Sequence, residues 1–337
     1  MKRIKNSLIF FVSMHVYLFI LMYSISCTAQ STHSSLLALS KKDHTLAIVN
    51  PSTLTVIAKV PVGEDPHEVI ASADGKTAYV SIYGGGSLHT INVIDLATQK
   101  RLDDIDTKPL FGPHGLMFVN NKLWFTAEGS KAFGCYDPST KKIDWCMGTG
   151  QDRTHMIYVT KDAKKIYTTN VASGTVSIFE NTSTQQARRE QWKQTIIPVS
   201  EGSEGFDVLP DGTELWAASA KDGKIYIINP TTKKLSATID ANVNGANRLQ
   251  FTPDGKLAFI SSLNSGNLIV YDVKTRKLLK QISIGSGAAG ILVQPDNARV
   301  FVACTPDNYI AVIDIKTLEI VNKIDVGGNP DGLAWAQ

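Results

Sequence analysis

Short apolar runs, bounded by turns rich in Gly, Pro, Asp, Asn and Thr, follow one another along the chain. That pattern predicts short strands and hairpins rather than helices. The runs come in groups of four, and one phrase recurs about every 42 residues. It reads Ala-Asp-Gly-Lys-Thr-Ala-Tyr-Val-Ser over Ala73–Ser81, then Pro-Asp-Gly at Pro210–Gly212 and Pro253–Gly255, and Pro-Asp-Asn at Pro295–Asn297. In each group the second run follows this turn. The third ends in Asp or Asn (Asp95, Asn229, Asp272, Asp314), and the fourth follows a Thr-containing turn such as Thr275-Arg276-Lys277. Repeats of this length with four strands each indicate an all-β fold, a β-propeller.

The first-strand anchors are read as Val69, Leu116, Ile157, Val208, Leu249, Ile291 and Leu333, which predicts seven blades. After Leu333 there is room for a single strand, and the runs Ser35–Ser40, Thr45–Asn50 and Leu54–Val60 supply three more. One C-terminal strand with three N-terminal strands would close the seventh blade and leave no long free edge. The inserts Tyr83–Ser87 and Asn181–Gln191 are expected to lengthen loops.

Residues 1–29 are a different material: Lys2, Arg3 and Lys5 precede a mostly apolar stretch, Leu8–Ile25, and then small residues. This is the pattern of an export signal, leaving 30–337 as the propeller domain. Cleavage after Ala29 and lipidation of Cys27 are both open. They imply a periplasmic, outer-membrane or extracellular protein, with membrane attachment only through a lipid on Cys27. Loss of three basic residues turns a balance of 34 basic and 31 acidic residues into 31 of each. A neutral protein lacks the basic footprint of nucleic-acid binding, so no nucleic-acid partner is expected. Cys135 and Cys146 flank one hairpin turn, and a register difference of one residue decides between a disulfide and two thiols on opposite faces. Cys304 reads as a buried apolar residue.

The Pro-Asp-Gly-Lys-x-Ala-Tyr/Phe-Val/Ile-Ser run and the Ile-x-Ile/Val-Gly approaches at Ile282–Gly285 and Ile324–Gly327 resemble the YVTN-repeat (YncE-like) β-propellers. The resemblance covers residues 35–337 and implies a seven-bladed propeller. It implies no single activity, since such propellers serve as surface proteins, binding modules and enzymes. Asn120-Asn121-Lys122 and Asp162-Ala163-Lys164 depart from the repeat's turn.

Two residues before each anchor stand His67, His114, His155, Phe206, Asn247, Ala289 and Asp331. First strands line a propeller's channel, so this column is expected at the channel mouth, where ligands sit. Three of the six histidines outside the signal fall in it. His67, His114 and His155, with Asp331 as ligand or tautomer-holding partner, suggest a divalent ion of the zinc or manganese type. Glu128 would then be a general base in a metal-dependent lyase or hydrolase. Tyr83, Asn170, Lys221 and Asn264 are expected on neighbouring rim loops. Arg153, Glu204 and Arg248 approach the same rim, where the arginines could clamp a carboxylate-bearing ligand or pair with Glu204. Three readings stay open: an exported module binding a small or extended polar ligand, the metal enzyme, and a cell-surface interaction module without chemistry. No nucleophile elbow, phosphate-binding loop, dinucleotide fingerprint or haem-attachment motif is present.

Overall fold

The computed structural model describes residues 34–184 and 190–337; the expected export signal and Cys27 lie outside them. The chain forms seven antiparallel sheets, the blades of a propeller. Their first strands are Pro66–Ala71, Pro113–Val119, Thr154–Val159, Ser203–Val208, Ala246–Phe251, Ala288–Val293 and Pro330–Ala336. Blade seven joins the last of these to Ser35–Ser40, Thr45–Asn50 and Thr55–Pro61, with Leu36 opposite Trp335 and Ala38 opposite Leu333. The closure is the expected one.

Apolar residues pack between neighbouring sheets. Leu37 and Ile48 of blade seven meet Val69, Val80 and Ile94 of blade one in one buried cluster. The turns are set by local chemistry. Asp95, Asn229, Asp272 and Asp314 end third strands and accept hydrogen bonds from backbone N–H groups of the next few residues. The first turn of each repeat needs a left-handed residue. Gly75, Gly212 and Gly255 fill the position in three blades, and Asn121, Ala163 and Asn297 hold the same conformation in others. The Asn181–Gln191 insert joins the third and fourth strands of blade three, as a loop insertion should.

The hairpin register decides the cysteine question. Cys135 stands opposite Trp145 and Cys146 opposite Gly134, so the two side chains leave opposite faces. Both are free thiols, the first buried and the second exposed, so the disulfide alternative falls. Cys304 is fully buried.

Candidate functional site

A repeated bulge builds the mouth. In most blades the pairing of first and second strands skips two residues, for example between Pro66 and Val69 or Ser203 and Phe206. The skip frees one backbone N–H and turns one side chain toward the axis. Hydroxyls on second strands take up the freed groups. Thr126 Oγ1 accepts from Gly115 N at 2.8 Å and donates to the His155 carbonyl of the next blade at 2.6 Å. Ser261 does the same between Arg248 N and the Ala289 carbonyl, at 3.0 and 2.6 Å. Each hydroxyl thus ties the mouth residue of the following blade to its own sheet. Gly115 allows the close approach: a Cβ there would lie 2.6 Å from the His155 carbonyl oxygen.

The register also corrects the column in blade four. Phe206 pairs with Ala217 as Leu249 pairs with Ile260, so Phe206 is the anchor and Val208 is not. The residue two before it is Glu204. The mouth ring is therefore His67, His114, His155, Glu204, Asn247, Ala289 and Asp331, and all seven line one cavity of about 570 Å³. Counting back four residues from each Asp-Gly-type turn's first residue (Ala73, Pro210, Pro253, Pro295) would have found this frame.

A second ring comes from the residue that follows each second strand: Lys41, Tyr83, Glu128, Val171, Ala220, Leu263 and Thr305. Tyr83 and Glu128 were expected there. Asn170, Lys221 and Asn264 are each one residue out of place. Asn170 closes its strand fully buried, bonded to Thr154, Thr168, Thr175 and Ser177. Lys221 pairs with Glu201, and Asn264 donates to Asn244. A shift of one position turns a strand side chain to the other face. Lys41 carries no repeat signal because its blade is assembled from both chain ends, and Asp65 and Glu68 flank the histidine column without belonging to it.

The three imidazoles stack as a row, with ring centroids 4.8 Å apart for His67 and His114 and 3.9 Å for His114 and His155. Tyr83 meets His67 and His114 edge-on. Burial holds the pKa of His114 well below the ordinary range, helped by His155 and His67 beside it. Burial lowers His67 too, against the pull of Asp331. His155 Nδ1 lies 3.0 Å from Glu128 Oε1, and Glu128 also accepts from Arg153 Nε at 3.1 Å and from the Tyr83 hydroxyl. Burial alone would raise the Glu128 pKa, but the bonds from His155 and Tyr83 and the charge of Arg153 outweigh it and hold it at about 2. His155 Nε2 and His114 Nδ1 are buried and have no hydrogen-bond partner.

Among the described residues no three His, Cys, Asp or Glu side chains converge to hold an ion. His67 Nε2 faces the Lys41 ammonium at 2.7 Å, and His155 Nδ1 is taken by Glu128. The Lys41 ammonium thus occupies the space beside His67 Nε2. Asp331 is engaged with that same lysine at 3.5 Å.

The arginines do not form an open clamp either. Arg153 reaches Glu204 at 3.6 Å as well as Glu128. Arg248 reaches Glu204 at 3.8 Å and Glu68 at 2.5 Å. Glu68 belongs to blade one and Arg248 to blade five, so their bond spans the channel. Asn247 Nδ2 donates to Glu204 at 2.6 Å. The cavity lining also includes Leu263, Gly287, Ala289, Thr305, Pro306 and Asn329.

No family profile matches the chain, and no curated protein does. Solved structures do. A Bacteroides uniformis ATCC 8492 protein named "putative 6-phosphogluconolactonase" is 15% identical, over 90% of this chain and 99% of its own, with a TM-score of 0.75. One of the same name from Bacteroides fragilis NCTC 9343 is 14% identical, over 92% and 99%, at 0.73. Kuenenia stuttgartiensis hydrazine synthase is 16% identical, over 83% and 92%, at 0.70. These likenesses show the fold. At such identity they carry no activity across.

Proposed function

We propose that this is an exported, YVTN-like propeller that binds a small polar ligand in its channel mouth. Export rests on the basic head and apolar run of residues 2–25. The observation that carries ligand binding is the pair of orphaned imidazole nitrogens, His155 Nε2 and His114 Nδ1, on residues lining the cavity. Leaving a buried polar atom without a partner costs about 1–3 kcal/mol, and a bound hydroxyl or carbonyl would offset that cost. The cavity's size falls in the range of small-molecule sites. A concave mouth of this kind weighs against a surface module without a ligand.

The test is a thermal-shift screen of small polar compounds against the wild type and Asn247→Ala. A hit that stabilises the first and not the second supports mouth binding. Hits that stabilise both equally would place binding elsewhere.

One observation favours a second reading, a metal-independent hydrolase. In the tautomer in which His155 donates its Nδ1 proton to Glu128, Nε2, 3.9 Å from Glu204 Oε2, is unprotonated and can act as a base. In that reaction Nε2 takes a proton from water as the water oxygen attacks an ester or lactone carbonyl. The acyl C–O bond then breaks, and the proton passes to the departing oxygen. Glu128, ionised at every working pH, stabilises the transient imidazolium. The name of the Bacteroides neighbours agrees with a lactone substrate. Turnover of a lactone panel that is lost in His155→Ala and regained with added imidazole supports this reading. Equal turnover in the two proteins removes it.

A further inference from the structure

The charges around the mouth carry the argument from where a ligand binds to what it is. Three permanent cations line the cavity: Lys41, Arg153 and Arg248. Each is already held by carboxylates. Lys41 lies 3.2 Å from Asp65 and 3.5 Å from Asp331. Arg153 is shared between Glu128 and Glu204, and Arg248 between Glu68 and Glu204. The five carboxylates that pair with these three cations leave the network with two negative charges; Glu204 and Asp331 line the cavity itself, and Asp65, Glu68 and Glu128 hold the cations from outside its lining. Among the described residues that line the cavity, a phosphate or carboxylate meets no cation without a carboxylate partner and must displace that carboxylate to gain one, against like charge.

A hydroxyl-rich neutral ligand meets no such penalty. A hydroxyl both donates and accepts. It can donate to the fixed carboxylate oxygens of Glu204 and Asp331 and to the free imidazole nitrogens, and accept from Asn247 or an arginine N–H not used in pairing. Leu263, Ala289 and Pro306 add an apolar stretch to the lining, beside Thr305 and Asn329, that suits the C–H face of a pyranose ring. A cavity of about 570 Å³ has room for one or two sugar rings.

Building on the mouth-binding reading above, we infer that the mouth selects uncharged polyhydroxylated ligands, sugars or their lactones, over counterparts bearing a phosphate or a carboxylate. Phosphorylated sugars, the substrates that the Bacteroides neighbours' name implies for those proteins, are thereby disfavoured for this one.

The experiment uses matched pairs: glucose with glucose 6-phosphate, lactose with lactobionate, and cellobiose with cellobionate. Each is titrated into the purified protein by calorimetry and saturation-transfer NMR at low ionic strength, where charge effects are least screened. The neutral member is expected to bind at least tenfold tighter, and its signal to vanish in Asn247→Ala, with folding checked by circular dichroism. Glu204→Gln removes one negative charge and leaves Arg153 and Arg248 with one carboxylate partner each, Glu128 and Glu68, so it should narrow the preference. Tighter binding of the charged members, also lost in Asn247→Ala, overturns the inference while leaving mouth binding intact. An unchanged preference in Glu204→Gln overturns the electrostatic cause. Absence of saturable binding by every pair overturns the inference for this chemistry, and the wider thermal-shift screen then decides mouth binding separately.

Discussion

Glu128→Gln separates charge from shape at the centre of the mouth. The side chain is almost fully buried and takes hydrogen bonds from His155, Arg153 and Tyr83. Its pKa falls from an ordinary 4.5 to about 2 on folding. A carboxylate whose folded pKa is depressed stabilises the fold above its unfolded pKa, and that contribution is lost as pH falls through the folded value. At pH 7 the depression corresponds to about 3 kcal/mol of stability, and at pH 3 about 1.4 kcal/mol of it remains. Glutamine keeps the shape but cannot titrate, so the variant lacks this dependence. Guanidinium unfolding of both proteins at pH 7 and pH 3 measures the gap. The wild type should lead by about 3 kcal/mol at neutral pH, and the lead should shrink by more than half at pH 3. A gap that is equal at the two pH values, or below about 1 kcal/mol at pH 7, would show that the carboxylate's charge is not what the three donors hold.

Other perturbations test the ring itself. Gly290→Ala would put a Cβ 2.2 Å from the Asp331 carbonyl oxygen, so blades six and seven must part locally; a loss of about 1–3 kcal/mol in denaturant unfolding is expected. Ala163→Gly relieves a left-handed alanine at φ 52° and should raise stability by about 1 kcal/mol, less whatever the lost methyl contact contributed. Removing 333–337 exposes the inner edge of Ser35–Ser40, and circular dichroism melting should show loss of the whole ring in one transition rather than a separate early step. Reducing agent should leave the melting temperature unchanged, because Cys135 and Cys146 are unlinked.

The fold was legible because its signals are local and repeated. A left-handed turn residue and an Asx residue closing the third strand recur in blade after blade, and each fixes a hairpin without reference to distant parts of the chain. Even Asn121 and Ala163, where the repeat's glycine is missing, keep the conformation, since the flanking strands over-determine it. The one uncertain pairing, Cys135 with Cys146, turned on a bulge between Cys135 and Tyr136 that shifts the register where no residue type announces it.

The site was only half legible, and the reason is geometric. The histidine column could be read because each histidine lies within a first-strand bulge, two residues before its anchor. Where the frame slipped by two, Glu204 was exchanged for Phe206; where it slipped by one, Val171 and Leu263 were exchanged for Asn170 and Asn264. These slips matter because the exchanged residues carry opposite meanings. Glu204 between Arg153 and Arg248 turns an anion clamp into a neutralised rim, and Leu263 in place of an amide gives the cavity an apolar wall. Lys41 sets an ammonium beside His67. Three histidines at equal spacing say that imidazoles will meet. Whether they hold a cation or a hydroxyl depends on which charges stand beside them, and those charges come from loops that only the closed ring brings together.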